Sequence, residues 1–438
     1  MTLDSTTIGA VCVLIALALI LCRMSIGIAL ILVSFGGFAW IANFTAAIGM
    51  LSSVPFAFVG DWNLSAIPMF LLMGFIVSAS GLTESLFKAA RLLLAGLPGG
   101  LAVATVGASG LFAAASGSSI ATSAAMAKIA TPEMLRNGYH PSLATGVVAA
   151  GGTLGSMIPP SILLLLYGYY AEVSVGKLFI AGILPGLLTA LLYAVMIIAR
   201  CRVQPTLAPR VTASAEPGEL RAALLEIWPV PTLVAGVMIG IFTGTFTPTQ
   251  AGAVGAFIAA LIAFVRRGLT WQVIKTSVAE TLHSTSGIFL ILIGTTMLTN
   301  FLALSGLPTA IAEFTLSVGL NRYLLLLAIA LLFLLLGMFV DSIGLMLLTL
   351  PIIMPLADAY SLDLVWLGII IVKLLEIGLL TPPVGLNVYV INSALGGTVG
   401  LNTIFRGVVW FVCTDLFCLS LIIAIPALAT WLPSLLVQ

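Results

Sequence analysis

Residues 117–134 read GSSIATSAAMAKIATPEM and residues 151–161 read GGTLGSMIPPS; 223 positions later, residues 340–357 read VDSIGLMLLTLPIIMPLA and residues 374–384 read LLEIGLLTPPV. Aligned without a gap, Ser118 falls on Asp341, Ser119 on Ser342, Pro132 on Pro355, Gly155 on Gly378, and Pro159-Pro160 on Pro382-Pro383. The chain carries one pattern twice. Two copies of a polar, Gly/Pro-interrupted apolar segment in corresponding positions point to the substrate site of a secondary transporter.

The rest of the composition sets the solvent. The chain has 438 residues, of which 61% are hydrophobic and 7% charged, with a mean hydropathy of +1.25. A water-soluble domain carries about 25% charged residues, so this chain belongs in a bilayer as a polytopic membrane protein. A net charge of +1 argues against nucleic acid as a partner and leaves membrane lipid as the surroundings. Cys12, Cys22, Cys201, Cys413 and Cys418 show no paired spacing, so they read as apolar fillers without disulfides. Asp4 precedes the first basic residue, Arg23, which makes residues 6–22 a retained first helix rather than a cleaved leader.

Spans of about 20 apolar residues cross a bilayer. They are expected at 6–22, 24–43, 64–81, 141–171, 177–199, 226–246, 248–265, 283–304, 362–395 and 405–432. Two further apolar pairs, 100–131 and 321–358, have a polar interruption at their centres and read as re-entrant helical hairpins. Segments 44–62 and 268–282 are mixed in polarity and expected along the interface. The stretch 201–222, CRVQPTLAPRVTASAEPGELRA, reads as a cytoplasmic linker.

With that linker inside, thirteen of the sixteen Lys and Arg residues fall on the cytoplasmic side, as positive residues do. Both termini then lie outside. The expected fold is all-α with two inverted-topology repeats, 1–200 and 223–438, each with one hairpin and one Pro-Pro-broken helix. The broken helices are 141–171 and 362–395, and helices within about residues 1–63 serve as scaffold.

Proline lacks the amide hydrogen that would bond the carbonyl four residues earlier. The two doublets thereby free the carbonyls of Gly155 and Ser156, and of Gly378 and Leu379. An unpaired carbonyl in lipid costs several kcal/mol. Na⁺, a hard cation that favours oxygen, is one way to satisfy it; a kink repaired by neighbouring helices or water is another. The first tip, AASGSSIATS (114–123), packs serine hydroxyls around Gly117, and they suit either ion ligation or capping of the returning half-helix. At the second tip, GMFVDSIG (337–344), Asp341 replaces a serine. A carboxylate in a membrane core is functional by default, which gives Asp341 a cation-associated role with capping as the alternative.

Lys373 and Glu376 stand three residues apart on the second broken helix and read as a mutual ion pair. A sharper reading places Lys373 on a substrate carboxylate. Asn387 and Asn392 follow the break and offer hydrogen bonds to a polar solute. Ser119, Ser161, Ser342, Asn387 and Lys373 are the expected solute contacts.

At these residues the chain resembles the large membrane subunit of the tripartite ATP-independent periplasmic (TRAP) transporters. The resemblance covers essentially the whole chain. Its most specific pieces are LFAAASGSSIATSAAM (111–126), GYHPSLATGVVAAGGTLGSMIPPSILLLLYG (138–168), LFIAGILPGLL (178–188), GMFVDSIGLMLLTLPIIMP (337–355) and IGLLTPPVGLNVYV (377–390). It implies Na⁺-coupled import of an organic acid across a bacterial or archaeal inner membrane, by an elevator movement. It also implies a periplasmic substrate-binding protein and a small four-helix membrane subunit, here expected as a separate chain. One sodium site would use Ser116, Ser118 or Ser119 with Gly155, Ile158 and Pro160. The other would use Gly337 or Asp341 with Gly378, Thr381 and Val384. No organic cofactor and no enzymatic activity are expected.

Three competing functions remain. A carboxylate:Na⁺ symporter of related architecture would work without a binding protein. An intramembrane aspartyl protease needs two facing carboxylates, whereas Asp341 has Ser118 as its symmetry mate. A passive channel fits hairpin-closed sites less well.

Overall fold

The computed structural model describes residues 4–94, 96–209 and 217–436. Among them every regular element is helical. Eight helices are long and apolar enough to cross a membrane.

The first half comprises α1 (Ser5–Leu21), α2 (Ile26–Ile41), α3 (Phe44–Val59), α4 (Ala66–Ala79) and α5 (Leu82–Leu94). It continues with α6 (Gly100–Ser116), α7 (Ser119–Arg136), α8 (Pro141–Met157), α9 (Ile162–Tyr170) and α10 (Val175–Val203). The second comprises α11 (Pro217–Ile227), α12 (Pro229–Phe242), α13 (Pro248–Val265), α14 (Trp271–Ser305) and α15 (Leu307–Ser317). Then come α16 (Arg322–Gly337), α17 (Ser342–Ala359), α18 (Leu364–Leu380), α19 (Leu386–Ala394), α20 (Leu401–Ala424) and α21 (Ala427–Leu436). The 223-residue offset maps α7 onto α17 and α8 onto α18 end to end. The duplication seen in the sequence is a duplication of helices.

Packing crosses between the halves in matched pairs. α2 lies on α14 while its counterpart α13 lies on α4; α8 lies on α20 while α18 lies on α10. Small residues let these backbones approach. A Cβ on Gly27 would lie 2.6 Å from the Leu290 carbonyl oxygen, and one on Gly407 only 1.8 Å from that of Ser142.

Several boundaries differ from expectation. The interfacial segment 268–282 and the span 283–304 are joined in one 35-residue helix, α14, because nothing between them breaks a helix. The expected span 405–432 is divided at Pro426, which forces Ile425 out of the helical region (φ −125°, ψ 79°). In the linker, α10 continues to Val203, a short 3₁₀ turn covers Pro205–Leu207, and α11 begins at Pro217; residues 210–216 lie outside the described residues. Helix α5 was not expected. Its buried face of Leu82, Leu86, Phe87 and Ala89 sits on α6, and Arg91 reaches Glu133 of α7 at 2.6 Å.

Candidate functional site

Each doublet ends a helix for a local reason. The residue before a proline is pushed out of the helical region, and Ile158 (φ −81°, ψ 121°) and Thr381 (φ −84°, ψ 136°) are both extended. Both doublets contain a cis bond, Pro159-Pro160 and Pro382-Pro383. After the first, Ser161 caps α9 by accepting from the Leu164 amide at 3.3 Å. After the second, Gly385 takes that place in the left-handed region (φ 59°).

The hairpin tips are tight reversals. α6 and α7 are joined at Gly117 (φ 61°) and Ser118. The Ser118 hydroxyl accepts from the Ala121 amide at 3.4 Å, and at the second tip the Asp341 carboxylate accepts from the Gly344 amide at 2.8 Å. Capping, one of the two roles considered for each residue, is thus present at both tips.

The tips abut the breaks. A Cβ on Gly155 would stand 3.0 Å from the Ser118 carbonyl, and one on Gly378 would stand 2.8 Å from the Cα of Gly337. Gly117 is equally close to the first doublet, with a Cβ position 2.9 Å from the Pro160 carbonyl oxygen. Both tips, and the ends of both broken helices beside the doublets, open on one cavity of about 360 Å³. Ser116–Ala121 and Ser156 line it from the first half; Asp341–Ile343, Glu376 and Leu379 line it from the second. Its remaining wall comes from α4, from Ile162 and Leu163 of α9, and from α14, where His283 and Ser284 are the polar residues.

The carbonyls freed by proline are partly satisfied by protein. The Ser161 hydroxyl donates to the Ser156 carbonyl at 2.6 Å, and the Thr381 amide donates to that of Gly378 at 3.1 Å. Those two oxygens therefore need no ion to be tolerable.

The expected Lys373–Glu376 pair is not formed. The Lys373 ammonium bonds the Asp415 carboxylate at 2.5 Å and the Thr189 hydroxyl at 3.1 Å, and Tyr193 donates to the other Asp415 oxygen at 2.6 Å. Residues three apart on a helix lie only about 60° apart around it, yet Lys373 reaches α10 and α20 while Glu376 reaches the first hairpin. Glu376 accepts from the Ser119 hydroxyl at 2.7 Å, and Ser119 lies 2.8 Å from the Ser156 hydroxyl.

The expected solute contacts are divided accordingly. Ser119 and Ser342 line the cavity, whereas Ser161, Asn387 and Lys373 do not. Asn387 is buried with its amide 3.4 Å from the Ala149 carbonyl oxygen, and Asn392 donates to the Val399 carbonyl at 2.8 Å. Of the expected ion-site residues, Ser116, Ser118, Ser119 and Asp341 line the cavity; Gly155, Pro160, Gly337 and Gly378 pack where tip meets break, and Ile158, Thr381 and Val384 lie in the breaks. Glu376, His283 and Asp415 were not assigned to the site by sequence. In the sequence Glu376 reads as the i, i+3 partner of Lys373, Asp415 is a lone polar residue whose partners Lys373 and Tyr193 lie far along the chain, and His283 is a lone polar residue of α14.

Known proteins resemble this one over most of its length. The family described as "Tripartite ATP-independent periplasmic transporter, DctM component" matches residues 13–428. The C4-dicarboxylate TRAP transporter large permease protein of Pseudomonas aeruginosa is 38% identical over 85% of this chain and 86% of its own. The sialic acid TRAP transporter large permease protein of Vibrio cholerae is 32% identical over 96% of this chain and 97% of its own. Among solved structures, the Alcanivorax borkumensis YdaH transporter shares the fold, with a TM-score of 0.63 at 15% identity over 87% of this chain and 89% of that one. With the duplicated hairpins and breaks, these likenesses make the chain a multi-pass membrane protein of the DctM family, the large permease subunits of TRAP transporters.

Proposed function

We propose that this permease imports an organic acid by Na⁺ symport, with one Na⁺ at each tip–break junction. The observation that carries the reading is the cavity shared by both tips and the ends of both broken helices. About 360 Å³ is the size of a small-molecule site. The N-termini of α7 and α17 open on it, and their dipoles favour a carboxylate. Hydroxyl, carboxylate and backbone oxygens gathered at the same place suit a hard monovalent cation, here a co-transported substrate.

Inverted halves and an elevator movement fit the same geometry. α2, α4, α13 and α14 pack together as a wall, and the hairpins, broken helices, α10 and α20 pack together as the body it faces. Contact between the two is close at Gly74 of α4, where a Cβ would lie 2.7 Å from the Ser116 carbonyl oxygen. In this reading the body slides past the wall once Na⁺ and solute are both bound. A periplasmic binding protein delivers the solute and a small four-helix subunit flanks the wall, as the relatives' tripartite description suggests. The membrane is the bacterial or archaeal inner membrane, with both termini outside.

Uptake by vesicles containing both membrane subunits and supplied with binding protein tests this. An inward Na⁺ gradient should drive accumulation; equal uptake with and without it contradicts the coupling. Uptake that needs no binding protein favours the simpler symporter.

A further inference from the structure

The two ion junctions just proposed are not equally charged by their own halves. The second tip carries Asp341; the first carries Ser118 in that position. Yet the first junction has a carboxylate beside it. Glu376 of α18 is 2% exposed, takes the Ser119 hydroxyl on Oε2 at 2.7 Å, and leaves Oε1 without a hydrogen-bond partner. Ser119 belongs to the first tip and its partner Ser156 to the first break, so the three oxygen-bearing side chains meet where tip and break join.

A buried carboxylate oxygen with no partner is costly, and either protonation or a paired cation relieves the cost. Among the described residues no Lys or Arg lines the cavity. Lys373, the basic residue nearest along the chain, is held by Asp415 of α20. The equivalent of Glu376 in the first half is Thr153, which bonds its own helix at Ala150 and faces Tyr193. The carboxylate therefore exists in one copy, and it points across to the other half.

We infer that Glu376, with the Ser119 and Ser156 hydroxyls, supplies the negative charge of the first Na⁺ junction from the second repeat. Each junction then has one carboxylate, Asp341 or Glu376, and the cargo-free body carries a negative charge for each Na⁺ it takes up. Because α18 contributes to both junctions, through Glu376 to the first and Gly378 to the second, the two ions are bound by one helix.

This inference rests on the Na⁺ reading above, and the test separates the two. The transporter complex with its binding protein is reconstituted as wild type, Glu376→Gln and Glu376→Asp. Labelled Na⁺ and labelled solute are counted together, and Na⁺-dependent thermal stabilisation of the purified complex is measured alongside. Glu376→Gln should lower the Na⁺-to-solute ratio by one and raise the Na⁺ concentration for half-maximal uptake by about tenfold or more. Glu376→Asp should keep the ratio and weaken the Na⁺ response. If the Gln variant does not transport, its Na⁺-dependent stabilisation should still fall below wild type; a full wild-type response overturns the inference. So does an unchanged ratio in an active Gln variant, or loss of a transported proton in place of a Na⁺. A wild type indifferent to Na⁺ overturns the Na⁺ reading and this inference with it.

Discussion

The two broken helices share a pattern in the sequence and differ in how the molecule holds them. α8 is packed through small residues: Gly146 and Gly407 put its backbone against α20, and its prolyl doublet is buried. α18, its counterpart, is fastened to α10 and α20 by a buried charge pair, and its doublet is exposed. Where the first copy has Ala150, Thr153 and Leu192, the second has Lys373, Glu376 and Asp415. Duplication fixed the backbone course of both copies. Divergence then put the charge in one of them, and that copy carries it for both.

The comparison can be broken most severely at Lys373. Lys373→Met leaves Asp415 uncompensated in a dry site, which should cost about 3–5 kcal/mol and be read as a large drop in thermal stability of the purified complex. Adding Asp415→Leu should restore much of that loss, because an apolar pair of similar size replaces a buried ion pair at little cost. If the single and double variants melt together, the charge pair is not what fastens α18.

A smaller effect sharpens the contrast between the tips. Ser119→Ala removes a hydroxyl that donates to Glu376 at 2.7 Å, whereas among the described residues the Ser342 hydroxyl has no hydrogen-bond partner. In Na⁺-free buffer, Ser119→Ala should destabilise by about 1–2 kcal/mol and Ser342→Ala by much less. Equal melting shifts would mean that the two tips are bound alike.

The hairpins, the breaks and the register between copies were legible in the sequence because each depends on local chemistry. Gly117 reverses the chain, Pro159 and Pro382 stop helices, and the spacing between tip and break is the same in both halves. The partners of the buried charges were not legible. Glu376 stands three residues from Lys373, while Asp415 stands on another helix and offers no local pattern. Helix α5 was hidden because Glu84, Lys88 and Arg91 interrupt its apolar run, although they sit on the face away from the core. Pro426 breaks the last long apolar run, a local signal that the surrounding hydrophobicity obscures.

The central claim is that each tip–break junction holds an alkali cation. A cryo-electron microscopy reconstruction of the transporter complex in sodium buffer, set beside one in choline buffer, tests it directly. The account predicts a density ringed by oxygens at both junctions in sodium, with the first touching Glu376, and both lost in choline. Junctions that look the same in the two buffers, with no ion at either, would contradict it.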